Sequence, residues 1–269
     1  MLYPIKFKPR IKERIWGGKV ILEKRGKAAS RLPKDKLYGE SWDLSAVDGE
    51  ESVVANGFLK RNTIEEIIEV YMGNLIGERN YDRYGLTFPL LIKSLDCHDV
   101  LSVQVHPDDE LAMERHNSYG KTEMWYLMHS DADAKLYSGL KQHITPGQYK
   151  TMVEDGSICD ALAQYSVKED DVFFLPAGRI HTIGAGCFLV EIQQTSNVTY
   201  RIYDFGRVGL DGKPRELHTE LSKAAIDYTV LEDYKTPYED IKNAENEIVS
   251  CDYFTTSLFD LDKPLSVPV

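Results

Sequence analysis

The sequence predicts a mainly β protein: a jelly-roll barrel or sandwich of antiparallel strands carrying helical insertions. Three observations lead there. Short apolar or alternating runs bounded by turn residues fill most of the chain. The few clear helical patterns do not alternate with strands at crossover spacing, which argues against a doubly wound sheet. A length of 269 residues with 42% hydrophobic and 28% charged side chains is that of a globular chain able to bury a sizeable core.

The elements follow in chain order. Thr63-Ile64-Glu65-Glu66 carries the T-x-x-E capping pattern, and Ile64, Ile67, Ile68, Tyr71 and Leu75 continue it at helical spacing, predicting a helix over 63–76. Strands are predicted over 88–95, 100–106 and 124–129. A second capping pattern at Thr145 to Gln148 opens a helical insertion over 145–165, with a short helix after Gly156 carrying Ile158, Ala161 and Leu162. Strands return at 171–175, 188–193 and 200–203, and 219–228 reads as a helix. Residues 248–269 read as one or two strands without a partner, so the expected division is a domain over 1–235 and the beginning of a second β-domain over 236–269.

Charge and cysteine usage exclude several classes. With 32 Lys and Arg against 43 Asp and Glu, the formal net charge is −11, unsuited to nucleic acid or to an anionic membrane. A small phosphorylated partner stays compatible, because a few local cations suffice to hold one. Cys97, Cys159, Cys187 and Cys251 form no C-x-x-C pair, hence neither a disulfide framework nor a zinc ribbon. No signal-peptide pattern opens the sequence, and no apolar run approaches the ~18 residues of a membrane helix, so a reduced cytoplasm is expected.

Three segments bear chemistry. In Leu101-Ser102-Val103-Gln104-Val105-His106, strand alternation puts Ser102, Gln104 and His106 on one face. In Lys121-Thr122-Glu123-Met124-Trp125, the same rule groups Lys121, Glu123 and Trp125. Either segment alone also reads as a strand with one solvated face. Pro176-Ala177-Gly178-Arg179-Ile180-His181 closes a strand, turns through Pro and Gly, and delivers a histidine to the next strand. Together Gln104, His106, Glu123 and His181 offer two imidazoles, a carboxylate and an amide oxygen. That set suits Zn²⁺, with Mn²⁺, Fe²⁺ or Co²⁺ as substitutes, in an open rather than a cysteine-closed site. His98, His116, His129, His143 and His218 read as ordinary surface or core residues.

Longer strings around these residues resemble the type I mannose-6-phosphate isomerases of the cupin superfamily, in their short bacterial form. The strings are Leu101 to Asp108, Gly120 to Trp125, Pro176 to His181 and Ser196 to Arg201, with Trp16-Gly17-Gly18 and Gly39-Glu40-Ser41-Trp42 before them. The resemblance implies a zinc site made by Gln104, His106, Glu123 and His181, a catalytic role for Arg201, and sugar-phosphate contacts from Lys93, Ser102 and Lys121. It implies interconversion of mannose 6-phosphate and fructose 6-phosphate through an enediol or enediolate, with Lys121 or a zinc-bound water moving the proton. The alternatives are another metal-dependent cupin enzyme, such as an oxygenase, or a non-catalytic sugar-phosphate-binding cupin. A monomer is the default expectation. The family carries a second small β-domain, of which 247–259 resembles the opening strands; the expectation is therefore that the sequence stops within it.

Overall fold

The computed structural model describes residues 2–267, so Met1 and the last two residues of the predicted 248–269 stretch lie outside it. Its elements are β1 (Arg10–Gly18), α1 (Val20–Arg25), β2 (Tyr38–Leu44), α2 (Ile64–Tyr71), α3 (Gly73–Ile76), α4 (Glu78–Tyr84), β3 (Leu90–Cys97), β4 (Val103–Val105) and α5 (Asp109–His116). There follow β5 (Glu123–Ser130), β6 (Lys135–Leu140), α6 (Pro146–Glu154), β7 (Leu162–Ser166), β8 (Val172–Leu175), β9 (His181–Ile183), β10 (Cys187–Gln194), β11 (Tyr200–Tyr203), α7 (Thr219–Ala225), β12 (Asn246–Ser250) and β13 (Thr255–Leu258). Two sheets make a sandwich, one ordered β1-β2-β3-β10-β5-β8 and the other β11-β4-β9-β6-β7. Leu95, Trp125, Leu127, Phe173 and Leu189 of the first sheet pack with Leu136 and Ile183 of the second in one buried cluster, so the sheets face each other.

Cross-strand register organises that interior in rows. Cys97 lies opposite Cys187; Leu95 and Leu127 flank Leu189; Lys93 and Trp125 flank Glu191; Glu123 lies opposite Gln193. Because inward residues recur every second position, these rows climb the sheet in steps of about 7 Å. The interior is apolar in its lower rows and charged in its upper ones.

The outer faces are covered separately. Val103, Val105, Tyr200 and Ile202 pack beneath Tyr149 and Val153 of α6 and Leu221 of α7. The β12–β13 hairpin sets Ile248, Val249 and Phe254 against Met124 and Val172 of the first sheet. Tyr253 at its tip donates to Asp109 Oδ2 at 2.8 Å. Among the described residues, no helix is long and apolar enough to cross a membrane.

Both predicted capping boxes form, at Thr63 with Glu66 and at Thr145 with Gln148. The helix predicted over 63–76 is broken at Met72, whose φ of 49° ends α2 with a bond from its N–H to the Ile68 carbonyl. Across the break Tyr71 and Leu75 still pack against one cluster with Val54, Leu59 and Ile67. The insertion predicted over 145–165 is helical only to Ala161; Leu162–Ser166 is the edge strand β7, paired with β6. The strand predicted over 100–106 shrinks to Val103–Val105, and Leu101 joins the inner cluster instead of the Val103 and Val105 face. Helix 219–228 stops at Ala225. The strand expected to start at His181 is β9, whereas strands β1, β2 and β6 and helices α1, α4 and α5 lie outside the elements predicted from sequence.

Candidate metal centre and cleft

Local sequence brings three chain segments to one point. After β4, Asp108 caps α5 by accepting from the Leu111 N–H, and the helix returns the chain so that the Lys121 N–H bonds the Pro107 carbonyl. Gly120 permits the closure: a Cβ there would stand 2.5 Å from the Asp109 nitrogen. Beyond β8, Gly178 takes φ 86° and donates its N–H to the His106 carbonyl at 2.9 Å. That turn delivers His181 beside Gln104, its partner in the β4–β9 register.

His106, Glu123 and His181 converge, with ligand-capable atoms all within 4.8 Å of one another. His106 Nδ1 lies 3.0 Å from the Val198 carbonyl and His181 Nδ1 2.8 Å from the Arg179 carbonyl. A carbonyl only accepts, so each Nδ1 carries the proton and each Nε2 presents a lone pair inward. Those Nε2 atoms stand 3.6 and 3.4 Å from the two Glu123 oxygens. The Gln104 amide nitrogen lies 3.2 Å from His181 Nε2; exchanging the amide's two like-shaped ends turns its oxygen to the same place.

The electrostatics call for a cation. Both Glu123 oxygens are fully buried, and neither accepts an aligned hydrogen bond among the described residues. A buried carboxylate in that state needs positive charge to complete it. Lys121 Nζ supplies some, 3.0 Å from Glu123 Oε2 and 3.1 Å from His106 Nε2. Burial, then repulsion from Glu191, pushes the Glu123 carboxyl up. Burial, reinforced by the Lys121 charge, holds His106 well below the ordinary imidazole value, and burial takes His181 to about 3. Two neutral imidazoles, a carboxylate and a flanking amide therefore fit a divalent metal ion in the zinc class.

The centre underlies a cleft of about 590 Å³ whose wall includes Lys93, Ser102, Gln104, Lys121 and Arg201. These cations are not equally free. Lys93 is buried and bonded to Glu191 at 2.8 Å. For Lys121, burial works downward, but Glu123 and Glu191 together raise its pKa. Arg201 pairs with no carboxylate among the described residues: its Nη1 donates to the Glu216 carbonyl, and its buried Nε has no acceptor. Ser102 is buried on the cleft wall, and its hydroxyl makes no hydrogen bond among the described residues. All eight predicted residues thus gather at one centre or the wall above it.

Sequence reasoning missed Glu191. Burial would raise its pKa, but Lys93 and Lys121 hold it low, and it accepts from Trp125 Nε1 at 3.0 Å. The signal was present: Glu191 follows Cys187 and Leu189 on the inward alternation of β10. It also missed Glu40 and Arg14, a bidentate pair on the cleft rim at 2.8 and 3.0 Å.

Comparison with known proteins points one way. The family model described as phosphomannose isomerase type I, catalytic domain, matches residues 5–129. The mannose-6-phosphate isomerase ManA of Bacillus subtilis (strain 168) is 36% identical over 267 residues, spanning 98% of this chain and 81% of its own. The chain belongs to the mannose-6-phosphate isomerase family. A Streptococcus mutans mannose-6-phosphate isomerase is 36% identical over 222 residues, 82% of this chain and 67% of its own. The crystal structure of the Bacillus subtilis mannose 6-phosphate isomerase superposes with a TM-score of 0.83 at 32% identity, covering 94% of this chain and 79% of that one. The family's cupin sandwich is therefore the fold of this chain too.

Proposed function

We propose that the protein is a zinc-dependent aldose–ketose isomerase interconverting mannose 6-phosphate and fructose 6-phosphate. The observation that carries this is the pair of inward Nε2 lone pairs meeting the buried Glu123 carboxylate beneath a cleft whose arginine pairs with no carboxylate among the described residues. Gln104, His106, Glu123 and His181 would hold the ion. Bound there, it supplies Lewis acidity toward the substrate's carbonyl and hydroxyl oxygens.

The chain's own groups do the rest. Carrying a hydrogen between neighbouring carbons passes through an enediol or enediolate, whose charge needs a fixed cation close by. Arg201, free of any carboxylate partner among the described residues, provides one without rearrangement. Lys121 is placed to move the proton. Glu123 and Glu191 keep it protonated in the metal-free arrangement, and neutralising the Glu123 charge lowers its pKa toward that of a usable base. Ser102 and Lys93 contribute on the phosphate side, Lys93 after exchanging its bond to Glu191. Binding energy from the phosphate, remote from the reacting carbons, then orients the sugar. Residues 1–235 form the metal-binding unit in this reading, and 236–269 open a second β-domain, supported by the separate two-stranded sheet of β12 and β13.

The test is a coupled assay on mannose 6-phosphate with metal-replete and chelator-treated protein, accompanied by metal analysis. Turnover lost on chelation and regained with zinc is expected, and His181→Ala should lower both metal content and turnover, the latter by about 10³-fold or more. No turnover by the metal-loaded protein would overturn the isomerase reading.

A further inference from the structure

We infer that His218 is a positioning residue for Arg201, fixing it at the open edge of a sheet through the imidazole Nδ1. The inference deepens the isomerase reading above and rests on it for its kinetic consequences. Strand β11 is the terminal strand of the second sheet. Its inner edge pairs with β4, with Arg201 opposite Gln104 and a register shift between Arg201 and Tyr203. At the outer edge no strand follows among the described residues, so the Arg201 N–H and C=O would be left without sheet partners.

His218 meets both groups. Its backbone N–H donates to the Arg201 carbonyl at 2.7 Å, and its ring Nδ1 accepts the Arg201 N–H at 3.0 Å. One residue thus imitates a neighbouring strand, one half with main chain and the other with side chain. The bond to Nδ1 requires a lone pair there, hence an uncharged ring. That also avoids a second positive charge beside the guanidinium. The ring is held at a centroid distance of 6.2 Å from Tyr200, whose hydroxyl lies 2.8 Å from His116 Nε2. Two residues before His218, the Glu216 carbonyl takes Arg201 Nη1 at 2.9 Å. The 216–218 segment therefore grips Arg201 at its main chain and at its side chain.

The loop between β11 and α7 delivers that grip. Asp204 is buried and bonded to Arg207 at 2.8 Å and to Arg215. Val208 bridges Pro214, and the Gly209 N–H bonds the Lys213 carbonyl at 2.7 Å, folding the loop back on itself. The chain then returns along β11, and His218 sets the start of α7 by giving its own carbonyl to Ser222. A cation that must meet a developing charge loses effect when it drifts by an ångström, so this grip bears on turnover rather than on substrate affinity.

The experiment compares His218→Phe, which keeps a ring without an acceptor, with His218→Asn, whose Oδ1 replaces the Nδ1 lone pair. His218→Phe should lower kcat about tenfold or more while KM changes by less than about threefold. His218→Asn should restore most of kcat. In an Arg201→Ala background, His218→Phe should cost less than about twofold, because the two residues act as one unit. Hydrogen exchange of the segment 200–203 gives a readout independent of activity: faster in the Phe variant, near wild type in the Asn variant. Full turnover by His218→Phe, no rescue by Asn, or an undiminished effect without Arg201 would overturn the proposal. Should the Phe variant not fold, His218→Ala in the same cycle decides it. A wild-type protein inactive on mannose 6-phosphate would fail the isomerase reading alone, leaving the exchange comparison to judge His218.

Discussion

The lower and upper rows of the same sheet are built from the same three strands and do opposite work. In the lower rows Cys97, Cys187, Leu95, Leu189 and Leu127 are fully buried apolar groups that interdigitate across β3, β10 and β5. One pleat repeat higher, equally buried positions hold Lys93, Glu191 and then Glu123. Burial is alike in both halves and the β3–β10 register is unbroken through them, although a bulge between Phe188 and Leu189 shifts the β10–β5 register in the lower half. Burying an apolar side chain contributes roughly 1.5–3 kcal/mol, whereas burying a charge costs free energy unless a partner compensates. The lower half therefore supplies stability and the upper half draws on it, which is where function is expected to break folding rules.

The largest effect that should separate the halves is on stability from below. Leu189→Ala removes a fully buried side chain between two leucines and should destabilise the protein by about 2–5 kcal/mol, read from urea denaturation. Metal content and turnover per folded molecule should stay near wild type. If turnover per folded molecule fell in proportion to stability, the two halves would not be separable.

A smaller effect comes from the upper half through pH. In metal-free protein, burial keeps His106 and His181 from accepting protons that the unfolded chain takes near pH 6.5. Folded values below the unfolded ones mean stability is fully present above about pH 6.5 and is lost as pH falls toward the folded values. Glu123 works the other way, because its raised carboxyl binds a proton before the unfolded chain does. Two protons refused against one taken early leave a net loss of stability as pH falls below about 6.5. Urea midpoints with chelator at pH 7.5, 6 and 5 should fall in that order. A flat series would mean that the histidines titrate freely and are not held as ligands.

The same contrast explains what could be read from sequence. Period-two patterning and capping boxes are local, so most of the central strands and the starts of α2 and α6 were legible. The candidate site residues were legible because alternation puts Gln104 and His106, then Lys121 and Glu123, on common faces, while Gly178 marks the turn to His181. Strands β1, β2 and β6 were not, because Arg10 to Glu13 and Lys135 to Leu140 mix charges, Gly and apolar residues with no clean period. Their place is set by pairing with distant strands. Glu191 was missed since a lone charge in an apolar strand has no local signature, and its partner Lys93 is 98 residues away. His218 escaped because its role depends on an edge that exists only once β11 has paired.

The smallest expected net change is the most discriminating. Lys93 and Glu191 are neighbours in register, buried, and 2.8 Å apart. Lys93→Met alone would leave Glu191 without a cation closer than Lys121, at 4.0 Å, among the described residues, and should cost about 3–5 kcal/mol. Adding Glu191→Gln removes the orphaned charge while keeping an acceptor for Trp125 Nε1. The double variant should return to within about 1 kcal/mol of wild type, or exceed it, because desolvation of the pair had offset its attraction. Turnover should nonetheless stay low, as the cleft has lost a cation and the partner that holds Lys121 in place. A double variant as unstable as Lys93→Met would show that the charged rows hold the sandwich together themselves. A stable and inactive one would show that buried charge sits in these rows for chemistry alone, on a scaffold secured one pleat below.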